Sequence, residues 1–452
     1  MNKIYLIPFF NNKFLIYTIY FFFIFFVITV SPSLLNEIQP DSQFYIDASP
    51  FRPILYHLIL NICKFTGIDI FLFQELTLSL SLLSLIVSLE QNKKKRIFIF
   101  FFISLILSNI YYLSFAKTIL TEAIFFSLIN FSLSGFLLLK SHKNLFLLGF
   151  LIGLIAVIKP VGIIFTIIFL FFIFMIVEKN KKNFIILLSA TLTPFLIETI
   201  MFYSNFTKRE SLFPVTVTGK IYFLSGKESF DVSKYPGQYE NLLKNTKKEF
   251  ASVQEYLKNI KNLILRAELS SDYEVVSQYQ TYNLKSVKNF DNLKEELNKN
   301  YNQLLFFMIK NNFFDYIQLC LTNYLGNWSF GFKFIYWDKI KNEAPLIEEL
   351  KKSSGPMDIP NKKILLIAQI YFMTILLFTS SFFLFLLRNI FRKNNNLNDW
   401  FFLCFTQIYL ISVSVTNIGN IRYLMPIYPI LLLICIRIFE ILVMSRKSKQ
   451  LK

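Results

Sequence analysis

Long apolar runs, separated by short polar segments, dominate the pattern of this chain. A helix that crosses a bilayer needs roughly 20 apolar residues, and a shorter one suffices when it packs among neighbours. Ten crossings are predicted, at 14–31, 67–89, 97–114, 121–139, 145–158, 160–177, 183–203, 364–387, 399–417 and 421–443. Because proline cannot continue an α-helix, Lys159-Pro160 predicts a hairpin of two crossings instead of one helix over 145–177. No A-x-A-like site follows the first run, which is also too long for a signal peptide, so we expect a retained helix.

Clusters of lysine and arginine predict the orientation of these crossings. They precede the first crossing and follow alternate ones, at Lys3 and Lys13, 92–96, 140–143, 178–182, 388–393 and 445–452. Because cytoplasmic loops are enriched in these residues, the pattern favours ten spans with both termini in the cytoplasm. The outer face then receives the first outer loop 32–66, the turns at 115–120, 159–160 and 418–420, and the long segment 204–363.

These boundaries predict the fold class and the domain organisation. We expect an all-α polytopic membrane protein with about ten transmembrane helices and juxtamembrane helices in the first outer loop. It divides into an N-terminal transmembrane module 1–203, a largely helical outer segment 204–363, and C-terminal transmembrane helices 364–452. Within the outer segment, apolar spacing over 240–265 predicts helices, and 311–330 is apolar enough to lie on the membrane surface.

The composition agrees with a membrane protein and excludes several other classes. Of the 452 residues 54% are hydrophobic and 17% are charged, whereas charged residues supply about a quarter of a soluble chain. The net charge of +18 comes from residues that flank apolar segments, so we attribute it to membrane topology and expect no nucleic-acid partner. Four scattered cysteines and two histidines give neither a metal-binding spacing nor a disulfide framework.

Unusual polar residues recur on the predicted outer face. The stretch "QPDSQFYIDASPFRPILYHLIL" (39–60) holds Asp41, Asp47, Arg52 and His57, and later turns add Lys117, Glu122, Lys159, Arg422 and Tyr423. Charged groups at a membrane boundary are costly, so their recurrence on one face favours a functional cavity. Each residue taken alone also has a structural alternative. Lys117 and Arg422, for example, can anchor helices at the membrane interface, and Glu122 can be a favourable charge at a helix start.

Together these residues suit the transfer of a sugar from a lipid phosphate. Asp41 can take a proton from an acceptor hydroxyl or amine. The cations of Arg52, Lys159 and Arg422 can hold a phosphate and stabilise the charge that develops on it as it leaves. Holding two membrane-bound reactants in line would supply much of the remaining rate enhancement.

Four motifs resemble those of a known family. "PDSQFY…SPFRPILYHLIL" with "FLFQELTLSLSLLSL" looks like the first loop and second helix of the GT-C glycosyltransferases. These polytopic enzymes are related to the dolichyl-phosphate-mannose–protein mannosyltransferases and to the bacterial aminoarabinose transferase of lipid A. "TILTEAIF" resembles their L-T-E-x-L-F segment, "LLGFLIGLIAVIKPVGII" their G-L-x-x-G-L-A-x-L-x-R-P-x-G hairpin, and "IRYLMPIYPILL" their R-Y-x-x-P-x-x-P-x-L-L motif. The four follow the family's order over residues 37–433, but 204–310 is not covered in any detail.

The resemblance assigns roles residue by residue. Asp41 matches the family's first-loop acid, Glu122 the acid of the T-E segment, and Arg422 with Tyr423 the C-terminal pair. We therefore predict Asp41 and Glu122 as catalytic, and the substrate-binding set is Tyr45, Tyr56, Lys117, Arg52, Lys159, Arg422 and Tyr423.

Three departures from the family pattern are visible. Lys159 replaces the usual arginine, which keeps the charge but removes bidentate contact with a phosphate. Ile54 replaces the second proline of the R-P-P-L-Y stretch, and His57 stands where proline is common. The first loop has D-S instead of D-E, which argues against a paired-acid metal site. No cofactor is predicted, and a divalent cation bridging Asp41 and Glu122 stays an open alternative.

The leading hypothesis is thus a glycosyltransferase of a bacterial inner (plasma) membrane. It would move a sugar from a polyprenyl-phosphate donor to a lipid, glycan or protein acceptor on the outer face. One alternative is a surface-polysaccharide polymerase or ligase, which should place its key residues in the long outer segment. Another is a lipid-linked sugar flippase or transporter, which should show internal repeats and charged residues at mid-membrane; no convincing repeat is found.

Overall fold

The structure, a computed structural model, is helical throughout the residues it describes. These are 13–139 except 34, 40 and 95, then 144–177, 181–209, parts of 220–247, 303–328, 381–391, 396–416 and 421–450. The helices are α1 (Lys13–Val30), α2 (Ser42–Ile46), α3 (Ile54–Thr66), α4 (Ile70–Gln91), α5 (Arg96–Leu107), α6 (Ile110–Ser114), α7 (Glu122–Leu137), α8 (Leu145–Ile158), α9 (Gly162–Val177), α10 (Lys181–Asn205), α11 (Phe313–Trp328), α12 (Leu397–Thr416) and α13 (Tyr428–Gln450). Shorter helical pieces lie at 303–311 and Ser381–Phe391.

Several of these helices are suited to a bilayer, which makes the chain a helical membrane protein. Among the described residues α1, α4, α10 and α12 are long and apolar enough to cross it. A fifth span results if α5 and the helical turns over Ile110–Lys117 form one crossing, bent by 64°. The predicted crossings at 121–139, 145–158 and 160–177 correspond to the shorter apolar helices α7, α8 and α9. Most of the predicted crossing at 364–387 lies outside the described residues.

Two predicted crossings differ in detail from the observed helices. The run 97–114 breaks after α5, because Asn109 turns the chain and its side-chain oxygen accepts the backbone N–H of Tyr112 at the start of α6. The last crossing was predicted from 421, but two 3₁₀ turns, Ile421–Tyr423 and Met425–Ile427, precede α13. Pro426 and Pro429 lack the N–H that a continuous helix would use here, so helix α13 begins only at Tyr428.

The predicted helix break at Lys159-Pro160 is confirmed. Helix α8 ends at Ile158, Lys159 is extended, and its carbonyl oxygen accepts the N–H of Gly162, where α9 begins. Helix α8 then packs tightly on α10. A Cβ atom at Gly149 would meet the carbonyl oxygen of Leu187, and one at Gly153 would meet that of Thr191. The G-x-x-x-G spacing places both glycines on one side of α8, where small residues let membrane helices approach closely.

The chain divides into two compact units. The first comprises 1–210, 381–406 and 425–452, and the second comprises 211–380 and 407–424, so that helix α12 contributes to both. Phenylalanine rings of α7, α9 and α12 fill the centre of the first unit. Phe136 stacks on Phe401 with ring centroids 4.0 Å apart, and Phe405 contacts Phe165 and Phe169 at 4.7 and 5.0 Å.

In the second unit, side chains of the outer segment bind the end of α12. The buried Lys220 amine donates to the carbonyl oxygen of Ser414 at 2.6 Å, and the Tyr316 hydroxyl donates to that of Val415 at 2.9 Å. Asn327 donates to the Ser414 hydroxyl at 3.0 Å. These carbonyls belong to the last helical turn, where an α-helix leaves acceptors unsatisfied. Helix α11 lies within the apolar stretch 311–330, and 248–302, which includes most of the helices predicted over 240–265, lies with 329–363 outside the described residues.

Candidate active site

The loop 32–66, predicted as the first outer loop, folds onto the turn that precedes α7. The Ser42 hydroxyl donates to the carbonyl oxygen of Ile119 at 2.8 Å, and the backbone N–H of Ile119 donates to the carbonyl oxygen of Glu37 at the same distance. Ser42 is fully buried. Two segments that are about 80 residues apart in the chain are therefore held side by side, and each of them supplies predicted site residues.

Asp41 and Arg52 form an ion pair inside this loop. Arg52 Nη2 lies 3.0 Å from Asp41 Oδ1, and the side chains are 16% and 32% exposed respectively. The guanidinium group also lies over the rings of Phe44 and Tyr45, 5.8 and 5.5 Å from their centroids. Arg52 Nε is buried and has no hydrogen-bond partner in the described part of the chain. Because a buried donor without an acceptor is costly, this nitrogen is a natural contact for an anionic ligand.

Tyr45 and Tyr56 lie at the floor of the loop. Their rings meet edge to face, with centroids 5.2 Å apart, and both side chains are buried. The Tyr56 hydroxyl donates to Gln74 Oε1 at 2.8 Å. Burial, and after it the negative charge of Glu122, raises the pKa of the Tyr56 hydroxyl well above its ordinary value. Tyr56 is thus a neutral donor that lies within electrostatic reach of Glu122.

Glu122 and Lys159 form a second ion pair, which is almost fully buried. Lys159 Nζ lies 2.6 Å from Glu122 Oε1, with side-chain exposures of 13% and 1%. Glu122 is the first residue of α7, where the helix dipole favours a negative charge. The lysine also lies 5.6 Å from the centroid of the Phe125 ring. The predicted catalytic acid and the predicted phosphate ligand thus neutralise each other in this structure.

The other predicted residues lie at the end of α1, in a turn of the second unit, or in local contacts within the first loop. Lys117 donates to the carbonyl oxygens of Thr29, at 2.8 Å, and of Ser31, at the end of α1. Arg422 and Tyr423 lie in the 3₁₀ turn Ile421–Tyr423 of the second unit, which packs against α11. The remaining polar residues of the first loop make local contacts: His57 bonds to Asn61 and to the Tyr45 carbonyl, and Asp47 to Gln43.

Two further groups support the site although sequence reasoning passed over them. The side chain of Gln74 in α4 is buried. Its Oε1 accepts a hydrogen bond from the Tyr56 hydroxyl, and its Nε2 donates to the carbonyl oxygens of Ala116 and Thr118, at 3.1 and 2.9 Å. Glu198 of α10 is paired with Arg209 at 2.6 Å and accepts the backbone N–H of Ile54 at 3.4 Å. Both could have been found as polar residues inside apolar runs, in "FLFQELTL" and "LIETIM".

No metal site and no relative identifies the reaction. Within the described residues, no group of three or more His, Cys, Asp or Glu side chains is placed to hold a metal ion. Comparison of the chain with protein-family models, with curated proteins and with solved structures gives no match. Function must therefore be inferred from the side chains of the site.

Proposed function

We propose that the protein is a membrane glycosyltransferase that moves a sugar from a polyprenyl-phosphate donor to a hydroxyl or amine acceptor. Asp41 is the general base, and Arg52 holds the phosphate of the donor. The reaction would take place at the outer face of a bacterial inner membrane crossed by about ten helices, with both chain termini in the cytoplasm. The acceptor can be a lipid, a glycan or a protein.

In the proposed reaction, Asp41 takes the proton from the acceptor as its oxygen or nitrogen attacks the anomeric carbon. The bond between that carbon and the phosphate oxygen breaks, and the polyprenyl phosphate leaves with the additional negative charge. The guanidinium group of Arg52 stabilises this charge, because the planar fork binds phosphate oxygens in a fixed geometry. Protonated Asp41 returns its proton to solvent when the products leave.

The observation that carries the proposal is the arrangement around Arg52. One of its nitrogens contacts Asp41, and the buried Nε has no partner among the described residues, so a ligand oxygen that reached it would satisfy a costly unpaired donor. A base and an anion-binding donor are therefore within one side-chain length of each other, as transfer from a phosphate requires. Tyr45 and Tyr56, both buried, support the loop from below.

An apolar cavity beside the loop supports a lipid-linked donor. It has a volume of about 130 Å³, lies between α3, α8 and α10, and is lined by Leu55, Leu58, Phe150, Leu154 and Met201 among others. Ile54, two residues after Arg52, also lines it. An isoprenoid chain whose phosphate is bound at Arg52 could place apolar carbons here, where their burial would be favourable.

The test is transfer of radiolabel from a polyprenyl-phosphate sugar by the purified protein. Replacing Asp41 with Asn should lower the transfer rate by about 10²-fold or more, which is the usual contribution of a general base. Asparagine still offers an oxygen to Arg52, so donor binding should persist. Asp47→Asn, which removes an exposed carboxylate of the same loop, is the matched control. Full transfer by Asp41→Asn would exclude the assigned base, and no transfer from any such donor by the parent protein would exclude the reaction.

A further inference from the structure

A second site is suggested by a groove in the second unit. The groove has a cavity volume of about 540 Å³ and is lined by Pro236, Gln238, Gln303, Phe306 and Phe307. One wall is the 3₁₀ turn Gly237–Tyr239 with the preceding Pro236, and the other is the helical piece 303–311. The groove is largely open, so a ligand bound in it would keep one side exposed to solvent.

Hydrogen bonds at both ends hold the two walls of the groove in place. The hydroxyl of buried Tyr239 donates to Gln303 Oε1 at 2.8 Å. At the other end, Asn311 donates to the carbonyl oxygen of Lys234 at 2.8 Å, and Asn312 bonds to the hydroxyl of Tyr235. Such fixed walls lower the entropy that a ligand would otherwise lose by ordering them.

The groove presents an exposed aromatic ring beside oriented amides. Phe306 is 62% exposed, although Leu304 and Met308 of the same helical piece are fully buried and anchor it. Phe307 meets Phe306 edge to face, with ring centroids 5.8 Å apart. Because Tyr239 occupies the oxygen of the Gln303 side chain, the amide NH₂ of Gln303 is the group that can face a ligand, as a donor.

These features select a neutral ligand with one apolar face and several hydroxyls. The described lining residues have no formal charge, although the chain has a net charge of +18, so none of them offers a cation to an anionic ligand. A purely hydrocarbon ligand would leave the amides of Gln238 and Gln303 without partners, which is unfavourable. A pyranose ring satisfies both conditions, since its C–H face packs on a phenyl ring and its hydroxyls bond to amides.

We infer that this groove is a binding site for a neutral oligosaccharide. It is a binding site only, and the inference stands whether or not the chain transfers sugars. Its use as the acceptor subsite is a further step that rests on the proposed function. Binding can be measured with no lipid donor present, so failure of one inference can be distinguished from failure of the other.

The experiment measures binding of maltohexaose, cellohexaose and chitohexaose to the full chain in nanodiscs, which avoids competition from sugar-based detergents. Saturation-transfer NMR detects the contact, and titration gives its Kd. At least one hexasaccharide should bind. Phe306→Ala should weaken it about fivefold or more, because the stacking surface is lost. Gln303→Glu keeps an oxygen for Tyr239 but removes the donor, and should also weaken binding.

Phe314→Ala is the matched control, because it removes an exposed ring of α11 in the same unit, and should leave Kd unchanged. Thermal unfolding of all three variants verifies that they fold. Absence of binding to every hexasaccharide would overturn the inference, as would binding that neither groove variant changes. Binding of a dodecyl-chain probe alone, weakened by both groove variants, would assign the groove to an apolar ligand and also overturn it.

Discussion

Glu122 and Lys159 form a 2.6 Å ion pair at the start of α7 and the tip of the α8–α9 hairpin. The carboxylate is 1% exposed, so neither charge is well solvated. The two residues were expected to act separately, one as a catalytic acid and the other as a phosphate ligand. Their pairing makes a second role testable, in which they join the start of α7 to the α8–α9 hairpin.

Removing one partner of this pair should destabilise the protein strongly. Glu122→Gln and Lys159→Met each leave the opposite charge buried without its partner, at a cost of about 3–5 kcal/mol. The double variant should be more stable than either single one, because no unpaired charge remains. Thermal unfolding in detergent measures all three, with Lys64→Met, at an exposed lysine, as control. If the pair is only structural, the double variant should also recover transfer; recovery of stability without transfer would assign it a catalytic role.

Much of the helical layout could be predicted, whereas the pairing of side chains could not. Proline chemistry, together with the excess length of a single helix over 145–177, predicted the break at Lys159-Pro160, and apolar length identified α1, α4, α10 and α12. The break at Asn109 was missed, because asparagine inside an apolar run is compatible with either a helix or a cap.

For the candidate site, too, the sequence indicated which residues to consider but not which of them are paired. Charge density near the predicted membrane boundaries made Asp41, Arg52, Glu122 and Lys159 candidates, but which of them are paired depends on the rotation of each helix about its axis. Helices that are apolar on all sides have no polar face from which that rotation can be inferred. Gln74 was overlooked for this reason, since its three partners come together only in the folded chain.

Gln74 should be more important to stability than Tyr56. Tyr56→Phe removes one hydrogen bond, and we expect a loss of about 1 kcal/mol. Gln74→Leu leaves the Tyr56 hydroxyl and the carbonyl oxygens of Ala116 and Thr118 without their partner, and the loss should be at least twice as large. Thermal unfolding of the two variants side by side provides the comparison. Equal losses would contradict the hydrogen-bond network described here.

The contact between α8 and α10 should not tolerate a methyl group at Gly153. A Cβ atom there would overlap the carbonyl oxygen of Thr191, which belongs to a helix backbone and cannot move alone. Gly135→Ala is the control, because its Cβ would meet only the flexible end of Leu148. We expect Gly153→Ala to lose about 1–3 kcal/mol, in the range for overpacked sites, and Gly135→Ala to lose less. Comparable melting temperatures for the two variants would show that α8 and α10 are farther apart than described.

Lys220 should make the stability of the second unit depend on pH. Its amine is 1% exposed, and burial lowers its pKa from 10.5 to about 8. Between those two pH values the unfolded chain binds more protons than the folded chain, so stability should rise with pH. Below pH 8 the full cost of the buried charge remains, on the order of 3 kcal/mol.

Lys220→Met isolates this effect, because every other titrating group is common to the two proteins. The difference in unfolding free energy between variant and parent should favour the variant at pH 7 and shrink as the pH rises from 8 to 10.5. Loss of the bond to the Ser414 carbonyl lowers the variant's stability at every pH and leaves the slope unchanged. Denaturant unfolding at intervals of half a pH unit measures the slope. A difference that is flat across this range would mean that Lys220 is solvated or paired with a carboxylate in the native protein.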